Sequence, residues 1–139
     1  MQVQTPLQPM RVNWSPGFEV GHAAIDTQHR ALVALCNELA GRCTSGDEPG
    51  FDQAFERLQV LAREHFDFEL AWLQSLGDPD LDDHRDDCEE FGYLAAEIAT
   101  TDHFDRLELQ RFLALWWLGH VAESAPRLRD LQAGGSAPA

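Results

Sequence analysis

The chain has 139 residues, 44% of them hydrophobic, with 24 acidic side chains against 10 basic ones and a formal net charge of −14. That is enough apolar material for one compact core and too much for a disordered acidic chain. The charge argues against nucleic acid or an anionic membrane surface as partner, because phosphate repels it, and no apolar run approaches the roughly 20 residues of a membrane span.

Residues 1–20 carry three prolines and no sustained period, and they are expected to form an irregular arm with Trp14 and Phe18 available to pack on a core. No apolar stretch there resembles a signal peptide, so the cytoplasm is the expected compartment. Four helical patterns follow. The first carries Ile25, His29, Leu32, Cys36 and Leu39, and is expected to end between Gly41 and Asp47. Pro49 suits the first turn of the second helix, where its missing N–H is not needed. That helix carries Phe51, Phe55, Leu58, Ala62, His65, Glu69 and Trp72, and Gly77-Asp78-Pro79 breaks it. The third carries Leu81, His84, Cys88, Phe91, Ala95 and Ile98, with a break near Thr100 to Asp102. The fourth carries Leu109, Leu113, Trp116, His120 and Glu123, and Pro126 is expected to end it. The spacing predicts an all-α fold, an up-down-up-down four-helix bundle over residues 21–130, with a flexible tail over 131–139.

The apolar stripes carry polar side chains. His29 is on the first, His65 and Glu69 on the second, His84 and Cys88 on the third, and His120 and Glu123 on the fourth. Each has an ordinary structural reading: a core histidine satisfied by a hydrogen bond, a carboxylate at a bundle end, a cysteine acting as a small hydrophobe. Four histidines on four separate seams nevertheless point jointly to a metal site, since burial of such groups is costly without a partner. Pairs at i, i+4 (His65 and Glu69, His84 and Cys88) and at i, i+3 (His120 and Glu123) each share a helix face. Imidazole with carboxylate suits iron, manganese or zinc rather than calcium or magnesium. His22 and His103 fall outside the stripes and are expected at the surface. Cys36, Cys43 and Cys88 form an odd set without tight spacing and are expected as reduced thiols.

These residues resemble the bacterial hemerythrins. Val12-Asn13-Trp14-Ser15 through Gly21 is similar to that family's N-terminal arm, and Ile25-Asp26-Thr27-Gln28-His29 matches its I-D-x-Q-H. His65-Phe66-Asp67-Phe68-Glu69 matches H-F-x-x-E, Pro79 to His84 matches the approach to the third helix, and Trp116 to Val121 resembles W-L-x-x-H-I. The resemblance spans residues 12 to 126. It implies a left-handed bundle with a non-haem di-iron centre that binds O₂. On that pattern His84 and His120 bind one iron, His29 and His65 the second, and Glu69 bridges them. Two positions depart from it. Cys88 stands where the family has a second third-helix histidine, and Ala125 stands where it has a bridging Asp. A Cys88 thiolate is a competent ligand. Glu123, placed on the core stripe by ideal helical phase where Ala125 is not, is a candidate second carboxylate.

Three functions remain in view. The first is a hemerythrin-like iron protein that binds or senses O₂, NO or redox state, with two ions or one, and passes any signal to a separate partner. The second is an altered mononuclear iron or zinc site built on His84, Cys88 and His120. The third is a metal-free acidic module that binds a basic partner or pairs with itself as a homo-oligomer. Enzymatic turnover ranks below all three.

Overall fold

A computed structural model of the chain describes residues 7–101 and 104–135. Its elements are a 3-10 turn over Pro16–Phe18 and four helices: α1 Ala23–Ser45, α2 Glu48–Ser75, α3 Leu81–Thr100 and α4 Arg106–Gly135. The helices form an up-down-up-down bundle in which α1 lies between α2 and α4, and α3 closes the square against the same two. No helix among the described residues is long and apolar enough to cross a membrane.

Local chemistry sets most helix ends. His22 caps α1, its Nδ1 accepting the Ile25 N–H at 3.3 Å, and its ring packs edge-on against Trp72. It is therefore half-buried and structural rather than the free surface residue expected. His103, also expected at the surface, lies outside the described residues. α1 runs through Gly41 and stops at Gly46, whose φ of 70° is left-handed. Asp47 Oδ1 accepts the Gly50 N–H at 3.0 Å to start α2, with Pro49 in the first turn. Asp105 Oδ1 accepts the Leu107 and Glu108 N–H groups at the start of α4.

The end of α4 corrects the sequence reading. Pro126 lies inside the helix, which continues to Gly135. A proline there removes one backbone hydrogen bond, and the packing beyond it offsets the loss. Leu128 is fully buried with Val20, Ile25, Leu73 and Ala125, and Leu131 packs against them. Arg127 pairs with the buried carboxylate of Asp78 in the α2–α3 connection and reaches Asp80 at 3.6 Å. Residues 131–135, expected in the tail, belong to the helix.

The arm is irregular but pinned. Asn37 Oδ1 accepts the Val12 N–H at 2.8 Å, and its Nδ2 donates back to the Val12 carbonyl at 2.9 Å. Gln110 makes the same two-way pairing with Met10. The buried Asp26 carboxylate accepts the N–H groups of Val20 and Gly21. Trp14 and Phe18 pack edge-to-face, 5.5 Å between ring centres, against the core as expected. That core has two parts. The larger includes Leu32, Leu39, Phe51, Leu58, Phe91, Leu113 and Trp117. The smaller is the group around Leu128. On α1, His29 falls between Ile25 of the smaller part and Leu32 of the larger, whereas His65 and His120 are flanked by Ala62 and Phe66 and by Trp117 and Val121 of the larger part.

Candidate metal centre

Three helices aim four donor atoms at one point. His29 comes from α1, His65 and Glu69 from α2 one turn apart, and His120 from α4. His29 Nε2 lies 3.1 Å from His65 Nε2 and 3.3 Å from Glu69 Oε2. His65 Nε2 lies 2.5 Å from Glu69 Oε2, and His120 Nε2 lies 3.4 Å from both. The side chains of His29, His65 and Glu69 are fully buried, and that of His120 is 7% exposed. His84, on α3, joins from the other side, with its Nε2 2.7 Å from Glu69 Oε1. The two are in contact without a hydrogen bond, and neither atom has a hydrogen-bond partner among the described residues.

Neighbours orient these rings. Gln28 Oε1 accepts the His65 Nδ1–H at 2.7 Å. That bond leaves the lone pair of His65 Nε2 facing the cluster. Trp116 stacks on His120, 5.1 Å between ring centres at an interplanar angle of 11°. Sequence reasoning did not single out Gln28 as a partner of His65; its only signal was its place beside His29 in the I-D-x-Q-H segment.

The protonation states follow from burial. Burial lowers His29 below its ordinary value of 6.5 and lowers His65 to about 4, although Glu69 beside each pulls the other way. Burial alone would raise the Glu69 carboxyl. His120, His29 and His65 around it more than offset that and hold it well below the usual carboxylate range. Neutral His29 and His65 beside an ionised Glu69 are the ligand forms a cation requires. The fit is physical. His65 Nε2 and Glu69 Oε2 face each other at 2.5 Å, the histidine's proton is committed to Gln28, and two lone pairs at that distance repel unless a positive charge lies with them.

The remaining candidates are placed differently. Cys88 is buried on α3 and is outside the converging donors; its thiol is pushed up to about 12, first by burial and then by the negative charges of Glu69, Asp87 and Glu89. The set His84, Cys88 and His120 is thus not assembled, since His120 Nε2 sits with His29 and His65. Glu123 is exposed, not on the core face as the helical phase suggested, whereas Ala125 is fully buried. A cleft of about 660 Å³ between α3 and α4 reaches the cluster, lined by residues including His84, Cys88, Trp116, His120, Glu123 and Arg127.

Residues 20–125, which contain the whole cluster, match the model of the Hemerythrin HHE cation binding domain. The chain belongs to the hemerythrin family. It is 27% identical over 114 residues to a bacteriohemerythrin of Ralstonia nicotianae, covering 79% of this chain and 80% of that protein. It is 26% identical over 113 residues to a bacteriohemerythrin of Stenotrophomonas maltophilia, covering 78% and 72%. The fold is accordingly a hemerythrin-type four-helix bundle, and its family's cation-binding character matches the chemistry of the buried donors.

Proposed function

We propose that this hemerythrin binds iron and that the bound iron takes O₂ or NO as a small ligand, so that the chain works as a binding or sensing protein rather than an enzyme. The observation that carries the reading is the convergence of three imidazole nitrogens and one ionised carboxylate oxygen at a buried point. That donor set suits iron, manganese or zinc, and the family favours iron.

Bound iron would supply an electron and an open position to a diatomic gas. The chain does the rest. Glu69 stays ionised and neutralises part of the cation's charge. Gln28 holds His65 in the tautomer that presents Nε2. Burial of His29, His65 and Glu69 keeps bulk water away. The α3–α4 cleft gives a small ligand a route past His84 and Trp116 to the face of His120.

Anaerobic purification, elemental analysis and addition of NO or air test this. Bound iron and a new visible band on gas addition are expected. Less than about half an equivalent of any transition metal, even after reconstitution, would overturn the reading.

A further inference from the structure

Resting on the metal-binding reading above, we propose that this chain holds a single ion in one set made by His29, His65, His120 and Glu69, with His84 and Cys88 outside it. The resemblance implied two ions, with His120 paired to His84. The donor atoms divide the histidines otherwise, while the rings of His84 and His120 stay 5.6 Å apart between centres.

Donors around one ion have a fixed mutual spacing. Four ligands placed tetrahedrally at about 2.0–2.1 Å from a metal stand about 3.3–3.4 Å from each other. Adjacent ligands of an octahedron with similar bonds stand about 3.0 Å apart. Five of the six separations here are 3.1, 3.3, 3.4 and 3.4 Å and one contracted pair at 2.5 Å. All the donor atoms lie within 4.8 Å of one another. One ion satisfies this set.

A second ion would find too little. Among the described residues, His84 Nε2 and Glu69 Oε1, 2.7 Å apart, are the donors that stand beside the cluster. The position of the family's bridging carboxylate is Ala125, buried among Val20, Ile25, Leu73 and Leu128. Glu123, the candidate substitute, is exposed. Cys88 is not among the converging atoms. Two protein donors fall short of the three or four that hold a transition metal in a protein site. His84 then acts as a positioning residue only through its contact with the outer oxygen of Glu69, 2.7 Å away and not hydrogen-bonded to it. Reversible O₂ carriage draws one electron from each of two irons, so a single ion shifts the expected ligand towards NO.

Native mass spectrometry with elemental analysis of the full chain tests the stoichiometry, as isolated and after anaerobic loading with Fe(II) or Zn(II). One ion per chain is expected with either metal. Two per chain would overturn the single-ion inference and leave metal binding standing. None with either metal would overturn the metal-binding reading itself. The variants His120→Ala and His84→Ala, checked for unchanged helical content, separate ligand from positioning residue. His120→Ala is expected to retain less than about a tenth of the metal, and His84→Ala to retain one ion with affinity weakened about tenfold. Equal loss in both variants would make His84 a ligand and overturn the assignment. If His120→Ala fails to fold, the stoichiometry of the unaltered chain still decides.

Discussion

Gln28 on α1 accepts the Nδ1–H of His65 on α2 at 2.7 Å, and this one bond fixes which nitrogen of His65 faces the donor cluster. Partners of this kind raise the basicity of a ligating imidazole and hold its plane. Gln28→Leu is expected to weaken metal affinity about 10-fold to 100-fold while leaving one ion bound at saturating metal. Competition against a chelator of known affinity measures it. An unchanged affinity would mean that His65 is held by its buried packing alone.

The metal-free protein is expected to lose stability on acidification. Folding keeps His65 neutral down to about 4, and His29 is lowered in the same direction, both chiefly by burial. The unfolded chain takes up these protons near 6.5, so between 6.5 and 4 it binds protons that the folded chain refuses. The stabilisation is fully present above about 6.5 and is lost as pH falls towards 4. Glu69, held well below the usual carboxylate range, adds a loss of the same sign on further acidification. Urea midpoints of chelated protein at pH 7.5, 6 and 5 should fall steadily; a flat profile would contradict the burial argument.

Pro126 carries a local cost that its neighbours offset. Pro126→Ala restores a backbone donor at an exposed helical position and is expected to stabilise the chain by about 1–3 kcal/mol, the upper end reduced by the freer unfolded state. Equilibrium urea unfolding reads this directly. A loss of stability would show that the proline's ring packs usefully against the chain.

The errors on α4 have a common origin. Alternating steps of three and four run through Leu109, Leu113, Trp116, His120 and Glu123, a repeat near 3.5 residues. The buried track is Leu109, Leu113, Trp117, Val121, Ala125 and Leu128, mostly steps of four. The two tracks coincide at the start of the helix and separate by one or two residues at its end. Trp116 and Trp117 are both apolar, so the pattern alone did not choose between them. Glu123 thus drifted inward and Ala125 outward in the reading. On α1, α2 and α3 the stripes carry enough unambiguous residues, such as Leu32, Phe51, Leu58 and Phe91, to keep the phase. That the donor atom of His120 groups with those of His29 and His65 while its ring stays 5.6 Å from that of His84 depends on how side chains from separate helices meet, which no spacing within one helix encodes.

Cys88 and Glu123 are expected to be dispensable for metal binding. Cys88→Ser and Glu123→Ala should each leave metal content and any optical spectrum unchanged, since neither side chain is among the converging donors. Cys88→Ser should cost about 1 kcal/mol of stability, because it places a hydroxyl where a buried thiol packed. A shifted spectrum in Cys88→Ser would establish thiolate ligation.

The sharpest test of the departures from the family pattern is to reverse them. Cys88→His adds an imidazole one turn after His84, and Ala125→Asp adds a carboxylate on the buried face of α4. Alone, Ala125→Asp places an unpaired carboxylate beside Val20, Ile25, Leu73 and Leu128, and in metal-free protein it should be destabilising by about 3–5 kcal/mol. Together with Cys88→His, it brings the second position to four donors with His84 and Glu69 Oε1. Metal content is then expected to rise from about one to about two ions per chain. The thermal midpoint should also drop further on chelation than it does for the unaltered chain, because each bound ion stabilises only the folded state. Continued uptake of one ion by a folded double variant would show that side chains at 88 and 125 do not reach a common point with His84.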